Sequence, residues 1–178
     1  TSLASVAALA VASNASIAGR VLVGVAPVVS LSSIGLDHPY RFRITRTAAV
    51  SIPDGTNTQI QWTETVFDPA SMHSSTTSTS EANFVVPGTY LCGANVEWES
   101  NASGQRYLSL LVNGTTEIGV TAARVVTTGQ TVRQQVDALY AFVSTDRLSL
   151  RVFQDSGASL SIGPVASYSP ILWAVKVG

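Results

Sequence analysis

Cysteine is nearly absent: the 178-residue chain holds one, Cys92. A single thiol excludes an intrachain disulfide framework, so stability must come from packing or from self-association. Charge is scarce as well. Lys, Arg, Asp and Glu make up 12% of the residues, roughly half the share in an average soluble protein. Ser, Thr, Asn and Gln must therefore cover the surface, as in many extracellular and virion proteins. The net charge of −1 lacks the basic face that counterion release requires, which argues against nucleic acid as a partner. Only Arg41, Arg43 and Arg46 cluster. The two histidines, His38 and His73, stand in no metal-ligand spacing with another His, Cys or carboxylate. No Gly-x-Ser-x-Gly nucleophile elbow occurs, and the glycines lack a phosphate-cradling spacing. No catalytic residue, metal site or cofactor is assigned. Long apolar runs are missing too. In the small-residue leader, Ser13, Asn14, Ser16 and Arg20 interrupt the chain before a span of about 20 residues is reached, and no basic segment precedes it as in a signal peptide.

What remains is a chain in two unequal parts. Residues 1–36 are small, apolar and almost uncharged, and they read as a stem or docking segment. Leu3, Val6, Ala10, Ser13 and Ile17 follow a 3-4-3-4 spacing that suits a short helix. A trimer stem, a plain surface helix and a strand-like lead-in all fit that spacing. Residues 37–178 carry strand signals every 10–15 residues with turn residues between them, the pattern of an all-β sandwich or barrel. The clearest stretch is Gly88 to Trp98. Tyr90, Cys92, Ala94, Val96 and Trp98 fall on one face, while Leu91, Gly93, Asn95 and Glu97 fall on the other. A period of two marks a strand with one buried face, which makes Cys92 a packing residue. Further strands are predicted over 41–50, 59–67, 105–112, 116–127, 131–143, 148–154, 159–162 and 169–177. Asn113-Gly114 is the strongest hairpin signal. Eight to ten antiparallel strands suit a jelly-roll sandwich.

Five elements in order carry a resemblance: Val66-Phe67-Asp68-Pro69; Phe84 through Val86-Pro87-Gly88 to Tyr90; Tyr107 through Leu110-Leu111-Val112-Asn113-Gly114; Leu148, Leu150, Val152, Gln154 and Ser156-Gly157; and Tyr168-Ser169 through Ile171-Leu172 to Ala174-Val175-Lys176. Over residues 40–178 the chain resembles the globular head of complement component one-q and the tumour-necrosis-factor superfamily. It is more closely similar to the version of this head in bacteriophage tail and virion proteins, through Arg46-Thr47-Ala48, Ser51-Ile52-Pro53, Met72-His73 and Val96-Glu97-Trp98 with Asn101-Ala102, Gly104 and Arg106-Tyr107. One departure is Thr145-Asp146, where the family often has Gly-Asp.

The resemblance implies a homotrimeric, non-enzymatic head of a tail fibre or capsid-attached fibre, carried on the virion. Other virion proteins would be met through the N-terminal segment, and a host-surface glycan or protein through the loops. A capsid decoration protein and a secreted cytokine-like or adhesive ligand are the alternatives. Related heads sometimes hold calcium near the threefold axis. Here Asp54, Asp68, Asp137, Asp146 and Asp155 form no Asp-x-Asp-x-Asp run and read as turn or strand-end residues. Asn14, Asn101 and Asn113 are formal glycosylation acceptors that also read as turn or loop residues. Phe153 and Arg151, on the outward side of their strand, are the candidate subunit-interface residues. Asn57, His73, Asn101 and Asp155, on the loops 53–58, 71–82, 99–105 and 155–158, are the candidate ligand-facing residues.

Overall fold

The computed structural model describes residues 38–124, 129–163 and 170–177. The 1–36 segment and Tyr168 lie outside the described residues. Twelve strands run in order: β1 (Arg41–Thr45), β2 (Val50–Ile52), β3 (Thr58–Gln59), β4 (Glu64–Phe67), β5 (Glu81–Asn83), β6 (Gly88–Trp98), β7 (Gln105–Val112), β8 (Thr116–Arg124), β9 (Val132–Phe142), β10 (Arg147–Gln154), β11 (Leu160–Ile162) and β12 (Ile171–Lys176). They form two antiparallel sheets. One has the order β2-β11-β6-β12-β1-β4 with β9 on the other flank of β6; the other has the order β3-β10-β7-β8 with β5 also on β10.

The alternation in β6 sets the core. Tyr90, Cys92, Ala94, Val96 and Trp98 face inward, all at most 1% exposed, and meet Leu108, Leu110 and Val112 of β7 and Leu148, Leu150 and Val152 of β10. At one end an aromatic cluster closes the sandwich. Phe84 stacks on Phe142 with centroids 3.7 Å apart, and the Tyr90 ring meets Phe84 edge-on at 4.6 Å. The Tyr90 hydroxyl donates to the Val86 carbonyl at 2.9 Å.

Two predicted strands each divide, which raises the number above ten. The 41–50 run breaks after Thr45, because the Arg46 guanidinium turns back to the Ala48 and Gln61 carbonyls and sends β2 to pair with β11. The 59–67 run crosses from one sheet to the other. Ile60 N–H donates to Leu150 O, Trp62 N–H to Thr79 O and Thr63 N–H to Thr45 O. An extended crossing keeps the period of two, with Ile60 and Trp62 both buried, so alternation alone reads it as one strand. The strand β5 adds the remaining element.

Burial settles the role of Cys92. Its Sγ donates to Ala138 O at 3.4 Å, and desolvation, with the Asp137 charge second, pushes its pKa up to about 12. Thiol reagents are expected to leave the native chain unlabelled at pH 8 and to label it in denaturant. The unfolded thiol ionises near pH 9.0 and the folded one near pH 12. The neutral form is thus the one that folding favours, and stability falls as pH rises through that window. Stability flat across it, or rapid native labelling, refutes this burial.

The Thr145-Asp146 departure keeps the backbone that glycine would supply. Thr145 has φ = 88°, a strained value for a β-branched residue. It is held there by Thr145 N–H to Phe84 O, Phe84 N–H to Asp146 O, and Val143 N–H to Asp146 Oδ2. Thr145→Gly is expected to stabilise the fold by about 1 kcal/mol, since relieved strain exceeds the added freedom of the unfolded chain. Chemical denaturation checks it; a lower midpoint contradicts it.

Candidate functional site

Three of the four predicted loops gather at one end of the sandwich. Gly157 N–H donates to Asp54 Oδ1 at 2.8 Å, and Gly55 N–H to Gln154 O at 2.8 Å. Gln105 N–H donates to Asp155 Oδ1. Buried side chains hold these loops from below. The Arg106 guanidinium, 0% exposed, donates to Ser103 O at 2.7 Å and Asn101 O at 3.0 Å. Burial lowers its pKa from the usual arginine value, with Asp155 opposing. The Gln154 amide donates to Ile52 O and Ala158 O, and its carbonyl accepts from Ser156. Gly104, at φ = 76°, lies so close to the Asp155 backbone that a Cβ would stand 2.3 Å from its carbonyl oxygen. The fourth loop, 71–82, lies at the other end of β10, where β5 pairs with Arg147–Ser149 and His73 bridges Ala82.

The candidate ligand-facing residues therefore do not form one site. Asn101 Oδ1 accepts from Ser103 N–H and shapes its own turn. Asp155 caps Gln105. His73 is fixed by Asp68 Oδ2 at 2.7 Å and by contacts to Thr65 and Thr79. Asn57 is different. It lines a groove of about 470 Å³ on the outer face of the five-stranded sheet, together with Arg151, Phe153, Tyr107, Ser109, Glu117 and Val120. Pairing β10 with β7 puts Phe153 opposite Tyr107 and Arg151 opposite Ser109. The rings meet edge-on with centroids 5.8 Å apart. Arg151 Nη2 donates to Glu117 Oε2 at 2.8 Å and reaches Ser109 Oγ at 3.4 Å. The parity of Tyr107 in β7, opposite to that of the buried Leu108, points it outward.

A second surface covers the outer face of the seven-stranded sheet. Register puts Leu139 of β9, Leu91 of β6, Val175 of β12 and Arg41 of β1 in one row. The next row is Asp137, Gly93, Trp173 and Arg43, with Phe67 at its end. Leu139 is 65% exposed and Leu91 39%. The Trp173 indole lies over Gly93, where a Cβ would stand 2.7 Å from Cζ2, so glycine is the residue that lets the ring lie down. The Arg41 guanidinium sits 5.2 Å from the centre of the Phe67 ring.

Among the described residues no three His, Cys, Asp or Glu come together to hold a metal. The five aspartates are dispersed: Asp146 accepts from Asn113 and Val143, and Asp137 from Gln135. No described helix is long and apolar enough to cross a membrane. No family model and no curated protein matches the sequence. Solved structures do match the fold. Eiger, a tumour necrosis factor from S. frugiperda, superposes with a TM-score of 0.60 at 12% identity, covering 78% of this chain and 92% of that one. Murine APRIL at pH 5.0 gives 0.56 at 13%, covering 76% and 97%. The globular domain of zebrafish complement 1qA gives 0.52 at 12%, covering 78% and 97%. The fold is a jelly roll of the tumour-necrosis-factor and complement-one-q type. At this identity the likeness establishes architecture, and function has to be argued from surfaces.

Proposed function

We propose that this chain is a non-enzymatic recognition head that works as a homotrimer, in the manner of a cytokine-like or adhesive ligand. The observation that carries the reading is the apolar outer face of the seven-stranded sheet. Leu139, Leu91, Val175 and Trp173 form a contiguous patch, and large exposed patches of this kind mark contact surfaces. A second copy of the chain is the simplest occupant, because in a closed ring of three each subunit sets this face against a different surface of its neighbour, so the same contact repeats at every seam. The structural likeness to Eiger, APRIL and complement 1qA supports a ligand-type head of three chains. Self-association is assigned to this face in preference to Phe153 and Arg151, whose groove is rimmed by the charged pair Arg151–Glu117 and by Asn57 and Ser109. Sedimentation equilibrium of the full chain tests the reading: three copies are expected, and a monomer at micromolar concentration refutes it.

Carriage on a phage virion, as a fibre head or a capsid decoration, is a second reading. It is favoured by the sequence elements around Arg46-Thr47-Ala48 and Val96-Glu97-Trp98 and by the sparsely charged surface. Gold-labelled antibody on purified virions tests it: label at a fibre tip or on the shell supports it, and bare particles refute it.

A further inference from the structure

We propose that the groove between Tyr107, Phe153, Arg151, Glu117 and Asn57 is a binding site for a neutral saccharide, with one pyranose ring seated against the aromatic pair. The proposal deepens the recognition reading by naming a ligand class, and it requires only one protomer.

Four features of the groove converge on that chemistry. Its size, about 470 Å³, falls within the roughly 300–1,000 Å³ of small-molecule sites. Its floor is aromatic. Tyr107 has Phe153 on one side and the small Ala122 on the other, so the tyrosine ring is left uncovered toward β8. A half-exposed aromatic surface of this kind matches the C–H face of a sugar ring, which is apolar although its rim is hydroxylated.

The rim supplies the complementary groups. Arg151 engages Glu117 and Ser109 through Nη2 alone, and among the described residues its Nη1 and Nε have no hydrogen-bond partner. Glu117 Oε1 is likewise unused, and the exposed Asn57 amide makes no hydrogen bond among the described residues. Fixed donors and acceptors side by side suit vicinal hydroxyls, each of which both donates and accepts. The ion pair holds the two planar groups in place before the ligand arrives, which lowers the ordering cost of binding.

Charge excludes the rival ligands. The single cation of the groove is matched by a single anion 2.8 Å away, so an anionic ligand gains no net attraction. Nucleic acid requires several uncompensated cations. An added peptide strand pairs along a sheet edge, whereas Tyr107, Arg151 and Phe153 stand on the interior strands β7 and β10, and the edge strand β8 offers the groove the Glu117 and Val120 side chains.

Saturation-transfer-difference spectra of the full chain with the methyl glycosides of galactose, mannose, rhamnose, glucose and the two N-acetylhexosamines test this. At least one is expected to give ring-proton signals with millimolar affinity, weakened about tenfold or more by Phe153→Ala and by Arg151→Met. Circular dichroism confirms that each variant folds; should Phe153→Ala not fold, Glu117→Gln and Asn57→Ala, both at exposed groups, carry the test. Silence with every sugar, or signals that no variant weakens, overturns the site. A change of sedimentation in the folded variants also overturns it, because the groove is then an interface between copies. Sedimentation of the unaltered chain reads the trimer separately, so the two readings can fail independently.

Discussion

A chain carrying Leu139→Asp is expected to sediment as single chains under conditions where the proposal has the unaltered protein form three-chain particles. Leu139 stands at the β9 end of the apolar row on the seven-stranded sheet, beside Leu91 of β6, and is 65% exposed in the single chain. Covering a leucine is worth about 1.5–3 kcal/mol, and a closed trimer uses it three times. Aspartate removes that term and adds an unpaired buried charge that costs several kcal/mol more. Asp137, two residues away on the same face, makes the new carboxylate worse by like-charge repulsion. Each 1.4 kcal/mol is tenfold in the association constant, so dissociation at micromolar concentration follows. The fold itself is expected to persist, because Leu139 points away from the core that Val136 and Phe142 help to build. Leu139→Met keeps the area and is the control. A trimer that survives the aspartate refutes the assignment of this face.

The two surfaces differ in how far the sequence discloses them. In β6 the alternation is strict because one side is packed on the core, so Cys92 and Trp98 could be assigned inward from spacing alone. The same parity in β10 sends Arg151 and Phe153 outward, and the structure places both there, half-buried. Leu91 is legible as outward but says nothing alone. It becomes part of a patch only when β9 and β12 bring Leu139 and Val175 alongside, and those pairings join residues far apart in sequence. Glu117 was hidden for a different reason. The register between β7 and β8 slips at Leu110/Leu111, and a slip of one residue exchanges the two faces of a strand. The ligand-facing residues on loops were the least legible. Loop composition announces exposure, but whether a loop meets a groove depends on which strand ends it joins. Asn57 precedes β3, which pairs with β10 at Arg151, and so reaches the groove. His73 precedes β5, at the far end of the same strand, and does not.

Arg106 is expected to be the costliest polar side chain to remove. It is a fully buried cation whose guanidinium binds backbone carbonyls of the 101–105 turn rather than a carboxylate. Arg106 O also accepts from Gln134 Nε2, and Gln134 Oε1 accepts the indole N–H of Trp98 at 2.7 Å. One residue thus ties the loop end of the sandwich to its core. Arg106→Ala loses charged hydrogen bonds worth roughly 1.5–3 kcal/mol each and leaves a cavity where the stem was. Water can reach the carbonyls of the exposed turn and returns part of that loss, so a net destabilisation of about 3–5 kcal/mol is expected. Arg106→Met separates the two terms, since it refills the volume without the donors; about 2 kcal/mol is expected. Both variants should expose the 99–105 loop to protease well before global unfolding, because its remaining anchors are backbone and Asp155 contacts at one end. Denaturant midpoints and limited proteolysis measure these effects. Equal losses for the two substitutions would mean that hydrogen bonds carry the whole role. A methionine variant as stable as the parent would mean that the arginine serves only as packing, and that the loops keep their shape without it.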